Sequence, residues 1–186
     1  MSDPASPFLP VHATDPAVVT AELLLASADE TAELGIWLAP RLERGDALLL
    51  EGAIGAGKSH LARALIRARL GYDEDIPSPT FTLVQVYETL AEDGTAGPEI
   101  WHADLYRLGH PDEVLELGFD AALQGGICLI EWPDRLGALV PKGAIRLHLS
   151  GLALPGGDEG RLARITGPAP LMAELRRDWA GQLRDV

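Results

Sequence analysis

The sequence predicts an α/β domain of three layers, with a mixed, mainly parallel central sheet and added β-hairpins. Three observations carry that expectation. Apolar strand-like runs alternate with helical patterns, the order that builds parallel strands flanked by helices. Two further pairs of alternating segments, 81–87 with 99–106 and 144–149 with 161–166, are separated by turn-rich stretches and read as hairpins. Finally, Gly52-Ala-Ile-Gly55-Ala-Gly57-Lys58-Ser59 fits G-x-x-x-x-G-K-[ST] with no mismatch. It lies between a strand-like run, 47–51, and a helical stretch that continues to Leu70.

Taken in order, Val18 to Leu25 reads as the first strand. Ser27-Ala-Asp-Glu30 is a capping-box pattern and opens a helix carrying Leu34, Ile36, Trp37 and Leu38 ahead of Pro40. Gly45-Asp46 turns the chain into the strand before the glycine-rich loop. The helix from Lys58 places Leu61, Leu65 and Ala68 near one face, and Gly71 ends it. Arg63, Arg67 and Arg69 fall largely on its other faces and read as solvated surface. Residues 73–79 read as loop, and 92–97 as the turn of the first hairpin. Pro111-Asp-Glu opens a short helix, with proline and acids in its first turn. Gly126 to Trp132 is a buried strand ending in an acid, and 155–160 turns the second hairpin. Leu171, Leu175 and Trp179 stripe a last helix. Residues 1–17 read as a flexible lead and 18–186 as one domain without internal repeats.

Bulk properties narrow the function classes. Apolar residues make up 47% of 186, ordinary for a globular chain. No apolar run approaches the ~20 residues of a membrane span. The start of the chain has neither the basic nor the apolar region of a signal peptide. The single cysteine, Cys128, lies in an apolar run and reads as a buried, inert thiol, consistent with a cytoplasmic location. A net charge of −13 argues against direct binding of DNA or of an RNA backbone. RNA would be approached through a partner, unless the acidity serves only solubility.

The glycine-rich loop carries the chemistry. Glycines let backbone N–H groups curl around phosphate oxygens, and the following helix start adds positive potential. Residues Gly52, Ala53, Ile54, Gly55, Ala56, Gly57, Lys58 and Ser59, with His60 beside them, are the candidate ATP-binding set. Lys58 is expected to reach the β- and γ-phosphates, and the Ser59 hydroxyl to ligate Mg²⁺. Only Lys58 and Lys142 are lysines among fifteen Lys and Arg residues, so the loop takes a compact, flexible point charge where the rest of the chain takes arginine.

A phosphate loop needs a metal partner and a group that orients the attacking oxygen. Glu131, at the end of the apolar run Ile127-Cys-Leu-Ile, is the candidate Mg²⁺ carboxylate. Asp104, ending another strand, is the candidate for orienting water or holding a metal-bound water, against the plainer reading of a turn-forming or capping residue. His102, two residues earlier, reads as a packed structural histidine. Ser78-Pro-Thr80 offers hydroxyls where a γ-phosphate-sensing loop would stand, or forms a plain turn. Trp132 is a base-stacking platform or, on these residues alone, core.

Four segments in this order, Gly52 to Ser59, Ser78-Pro-Thr-Phe-Thr-Leu-Val84, His102-Ala-Asp-Leu-Tyr-Arg-Leu108 and Leu129-Ile-Glu-Trp132, resemble the TsaE (YjeE) family. The resemblance runs over about residues 27–166. It implies a P-loop NTPase domain that hydrolyses ATP with Mg²⁺. It also implies work with the transferase subunit TsaD and its paralogue TsaB in making N6-threonylcarbamoyladenosine in tRNA, with the small ATPase resetting that complex between turnovers. By the same resemblance Lys58 binds phosphate, Ser59 and Glu131 serve Mg²⁺, Asp104 aids hydrolysis and Thr80 lies in a nucleotide-responsive segment. Trp132 joins the site, Arg161 lies near the nucleotide, and Thr31 lies near the base. Ala53 departs from the family's usual aspartate, and Ala103 from a usual aromatic.

Three rival readings bear on the loop. A Ras-type GTPase needs N-K-x-D, and the chain has no asparagine. A small-molecule P-loop kinase would need an acceptor pocket and an arginine-bearing lid. A nucleotide-gated adaptor would bind ATP with negligible turnover, which the presence of both Glu131 and Asp104 disfavours.

Overall fold

The computed structural model describes residues 18–184 apart from 73, 92, 110–112, 115–116, 156 and 158. The expected lead over 1–17 and the start of the helix expected at Pro111 lie outside the described residues. The strands are β1 (Val18–Leu25), β2 (Ala47–Glu51), β3 (Val84–Tyr87), β4 (Glu99–Asp104), β5 (Gly126–Glu131), β6 (Ile145–Ala153), β7 (Glu159–Pro168) and β8 (Leu183–Arg184). They form one eight-stranded sheet in the order β3-β4-β5-β2-β6-β7-β1-β8. The central four, β4, β5, β2 and β6, are parallel neighbours. β3 joins β4 as an antiparallel hairpin, and β7 and β1 continue antiparallel from β6, so β1 again points with the central four.

The α-helices bounded among the described residues are α1 (Ala28–Leu38), α2 (Lys58–Leu70), α3 (Phe119–Gly125) and α4 (Ala169–Asp178). The sheet separates two apolar cores. Leu48 and Leu50 of β2 face one core with Leu34, Leu61, Leu65 and Met172 of α1, α2 and α4. Ala47 and Leu49 face the other, with Phe119 and Ala122 of α3. β2 and β5 read as continuous apolar runs because both of their faces are covered. Replacing Leu49 by alanine in so closed a setting costs about 2–5 kcal/mol. Among the described residues, no helix is long and apolar enough to cross a membrane.

Several expected elements are adjusted. The strand expected over 81–87 is reduced to β3, because Leu83 takes a left-handed conformation (φ 65°) and its N–H donates to Pro79 O at 2.7 Å. Phe81 is left 87% exposed. The partner strand ends at Asp104, two residues early, because the Asp104 carboxylate accepts from the Tyr106 N–H and turns the chain. On α2 the buried apolar residues are Leu61, Ala62, Leu65 and Ile66, whereas Ala68 is exposed. Arg63, Arg67 and Arg69 are not simply solvated, since each donates to a backbone carbonyl, of Ser59, Glu74 and Ala39. On α4, Met172 and Leu175 are buried with Trp179 just beyond the helix end, whereas Leu171 is half-buried. The sequence pattern did not mark α3.

Helix α1 starts as its capping box demands: the Glu30 N–H donates to Ser27 Oγ at 3.1 Å. The Glu30 carboxylate reaches one residue further back than usual, to the Ala26 N–H at 2.6 Å. Gly35 lets α1 lie against α2, where an added Cβ would stand 2.5 Å from Leu61 O. That close crossing fixes the start of α2, and so the end of the glycine-rich loop.

Two outcomes follow. Gly35→Ala should destabilise the fold by about 1–3 kcal/mol in urea unfolding, because overpacking against backbone outweighs the better helix propensity of alanine. Burial pushes the Cys128 thiol up to about 12. A thiol reagent at mildly alkaline pH should therefore leave the native protein unlabelled and label it fully once unfolded.

Candidate functional site

The loop between β2 and α2 begins at Gly52, where a side chain would collide with Leu149 O of β6. It ends at Gly57, the left-handed residue (φ 109°) that caps α2. Both positions require glycine for geometric reasons. Lys58, the first residue of α2, is only 5% exposed. Its ammonium donates to Gly52 O and Ala53 O, each at 2.9 Å, and stands 4.2 Å from the centre of the Trp132 ring. Burial lowers the Lys58 pKa from the ordinary lysine range, against the opposing pull of Glu131 and Asp104.

Those two acids end adjacent parallel strands and are register partners across β4 and β5. Glu131 is 2% exposed. Its Oε2 accepts from Ser59 Oγ at 2.9 Å, and its Oε1 lies 3.0 Å from His102 Nε2. Asp104 accepts from Thr80 Oγ1 at 2.8 Å on one oxygen and from the Tyr106 N–H at 3.0 Å on the other. Its own N–H donates to Leu83 O at 2.9 Å. Ser78 Oγ lies 2.8 Å from Thr80 Oγ1, so the 78–83 turn hangs on Asp104 through both side chain and backbone. Asp104 is thus a turn-forming residue and also a neighbour of Glu131.

Trp132 follows Glu131 in a left-handed conformation (φ 59°, ψ 52°). For a tryptophan this costs about 1–3 kcal/mol. The turn lays the indole beside Lys58 and against the Tyr106 ring, with 4.9 Å between centroids. The half-buried Trp132 also packs on the α3-side core, as the plainer sequence reading of it expects.

The remaining candidates lie around the loop with their polar atoms otherwise engaged. Thr31 is buried, with its methyl beside Gly57 and its hydroxyl donating to Ser27 O. His60 Nε2 lies 2.9 Å from Ala28 O. Arg161 Nε donates to Ala56 O at 3.1 Å and ties β7 to the loop. Ile54 is 76% exposed at the loop tip. A cleft of about 570 Å³ runs between the loop and the β6–β7 hairpin, lined by Ala53, Gly55, Ala56, Leu149, Gly151 and Arg161. A cleft of equal volume lies at the opposite, amino ends of β4 and β5, lined by Arg44, Trp101 and Gly126, far along the strands from these residues.

The site therefore joins one ammonium, two carboxylates and two hydroxyls at the carboxyl ends of parallel strands and the start of a helix. Among the described residues, no cluster of three or more His, Cys, Asp or Glu side chains forms a metal cage. The donors that do converge are oxygens, the set suited to a hard cation that shares its coordination with phosphate and water. Sequence reasoning missed the contact of His102 with Glu131 and that of Tyr106 with Trp132. The first had a signal, the His-x-Asp spacing on one strand; the second depends on the turn after Asp104.

Thr80→Val removes the side-chain tie to Asp104. Hydrogen bonds to charged groups are worth about 1.5–3 kcal/mol. Amide exchange at Leu83 should then accelerate at least about tenfold while that of Leu129 stays unchanged.

The family model for the threonylcarbamoyl adenosine biosynthesis protein TsaE matches residues 25–154. Curated relatives carry the name tRNA threonylcarbamoyladenosine biosynthesis protein TsaE. That of Rickettsia felis is 40% identical over 127 residues, 68% of this chain and 71% of the relative. That of Rickettsia bellii is 36% identical over 151 residues, 80% of this chain and 96% of the relative. That of Nostoc is 40% identical over 152 residues, 78% of this chain and 85% of the relative. The crystal structure of YdiB from Bacillus subtilis superposes with a TM-score of 0.64 at 24% identity, over 88% of this chain and 95% of that one, a likeness of fold. The chain belongs to the TsaE family of tRNA threonylcarbamoyladenosine biosynthesis.

Proposed function

We propose that the protein is a magnesium-dependent ATP hydrolase of the P-loop class. In the cytoplasm it would support formation of N6-threonylcarbamoyladenosine in tRNA by binding and resetting the TsaB–TsaD transferase pair. The observation that carries this reading is the 2.9 Å bond between Ser59 Oγ and Glu131 Oε2, directly after a glycine-rich loop whose lysine is buried among its carbonyls.

In this reading the loop from Gly52 to Ser59 wraps the phosphates, and Lys58 turns its ammonium from the loop carbonyls toward them. Partial desolvation strengthens that attraction. Ser59 and Glu131 would hold Mg²⁺, and Asp104 would hold a water bound to it. The ion, when bound, neutralises charge on the phosphate oxygens. Asp104 orients the attacking water, and its bond to Thr80 couples the 78–83 turn to the γ-phosphate end. The cleft beside Ala53, Gly151 and Arg161 takes the nucleoside. Thr31 and His60 shape the loop from behind, and Trp132 closes over Lys58. The acidic chain meets tRNA only through its partners.

Isothermal titration should find ATP binding to the purified protein in magnesium and none measurable for Lys58→Ala, at least about a hundredfold loss. Unchanged binding by a folded Lys58→Ala would place the nucleotide elsewhere. Tight binding with no turnover, even beside TsaB and TsaD, would favour a nucleotide-gated adaptor. Transfer of phosphate to an added small acceptor would favour a kinase.

A further inference from the structure

His102 is fully buried on β4, on the sheet face that carries Ile100, Ile127 and Leu129. Its register partner is Leu129, which makes Glu131 its diagonal neighbour across the parallel pair. Nε2 lies 3.0 Å from Glu131 Oε1. A carboxylate oxygen only accepts, so the ring proton sits on Nε2. Nδ1 has no hydrogen-bond partner among the described residues. An unpaired buried nitrogen is unfavourable, and an apolar side chain in this layer would avoid it. What the histidine adds is the single bond to Glu131.

That bond completes a two-point hold. Ser59 takes one carboxylate oxygen and His102 the other. On the reading given above, a cation arriving with nucleotide competes with the Ser59 contact, because it needs both Ser59 Oγ and Glu131 Oε2. The His102 contact lies on the far oxygen and persists. We propose that His102 is a positioning residue that clamps Glu131 Oε1, so that Oε2 stays aimed at the magnesium position beside Ser59. The inference rests on the proposed magnesium–ATP site. It requires no change of charge on His102. Without the clamp the Glu131 side chain regains rotamer freedom that metal binding must remove again.

The test compares ATP affinity by calorimetry in magnesium chloride and in EDTA for wild type, His102→Phe and His102→Gln. Phenylalanine keeps the ring volume and loses the donor; glutamine loses the ring and keeps an N–H at similar reach. Loss of a group that orients a metal-binding carboxylate costs about 10–100-fold. His102→Phe should lose that much of the magnesium-dependent affinity and bind ATP in EDTA within about twofold of wild type, and His102→Gln should recover most of the loss. A space-filling role predicts the reverse order, with Phe better than Gln, and that order overturns the proposal. So does equal loss in both solutions, or a folded His102→Phe with wild-type magnesium dependence. Should His102→Phe not fold, His102→Asn replaces it, being too short to reach Glu131; Asn and Gln behaving alike then overturns the clamp. The wild-type arm speaks to the site itself, since wild-type affinity indifferent to magnesium contradicts the metal reading whatever the variants do.

Discussion

A strand buried along its whole length that ends in a carboxylate creates a charge with nowhere to hydrate. Glu131 is that residue, and its burial is stable only because hydrogen bonds replace water on both oxygens. One comes from Ser59 at the start of α2 and one from His102 on β4. The neighbouring strand end, Asp104, and the buried ammonium of Lys58 complete a small set of opposed charges. Two separate elements, α2 and β4, are thereby tied to the end of β5 through one side chain, and the geometry of the loop is a consequence of that tie.

The fold delivers these groups through ordinary packing. Parallel β4, β5 and β2 align their carboxyl ends, so residues far apart in sequence come into register. Close backbone approaches set the loop: Gly52 against β6 at its start, and Gly35 where α1 crosses α2 just beyond its end. Arg161 pins its middle from β7. The strained turns at Leu83 and Trp132 flank the same spot, and they are the two non-glycine residues with positive φ among those described. Strain of this kind persists where surrounding contacts over-determine it. Here those contacts are Asp104 at Leu83, and Lys58 and Tyr106 at Trp132.

Much of this was legible in the sequence because some residue types admit few alternatives. The G-x-x-x-x-G-K-S run, the capping box at Ser27 and the apolar run ending in Glu131 each specify a local geometry, and the corresponding elements lie where the pattern places them. The segment from Phe81 to Leu83 was not legible. Its alternation is strand-like, but the bond from Thr80 to Asp104 and the left-handed Leu83 arise only once β4 is in place. Ala68 was assigned to a face it does not share, because small apolar residues weigh little in a helical pattern. The polar atoms of His60 and Thr31 turn to the start of α1, a direction no spacing rule gives. His102 looked structural because a histidine within an apolar strand usually is; its partner lies on another strand.

The most direct measurement is phosphate release from ATP by the purified protein, alone and with the TsaB–TsaD pair, with Glu131→Ala alongside. The account predicts slow release alone, strong stimulation by the pair, and loss of both in the variant while the fold stays intact. Release that persists unchanged in a folded Glu131→Ala would contradict it, because the buried carboxylate around which the site is built would then take no part in the chemistry.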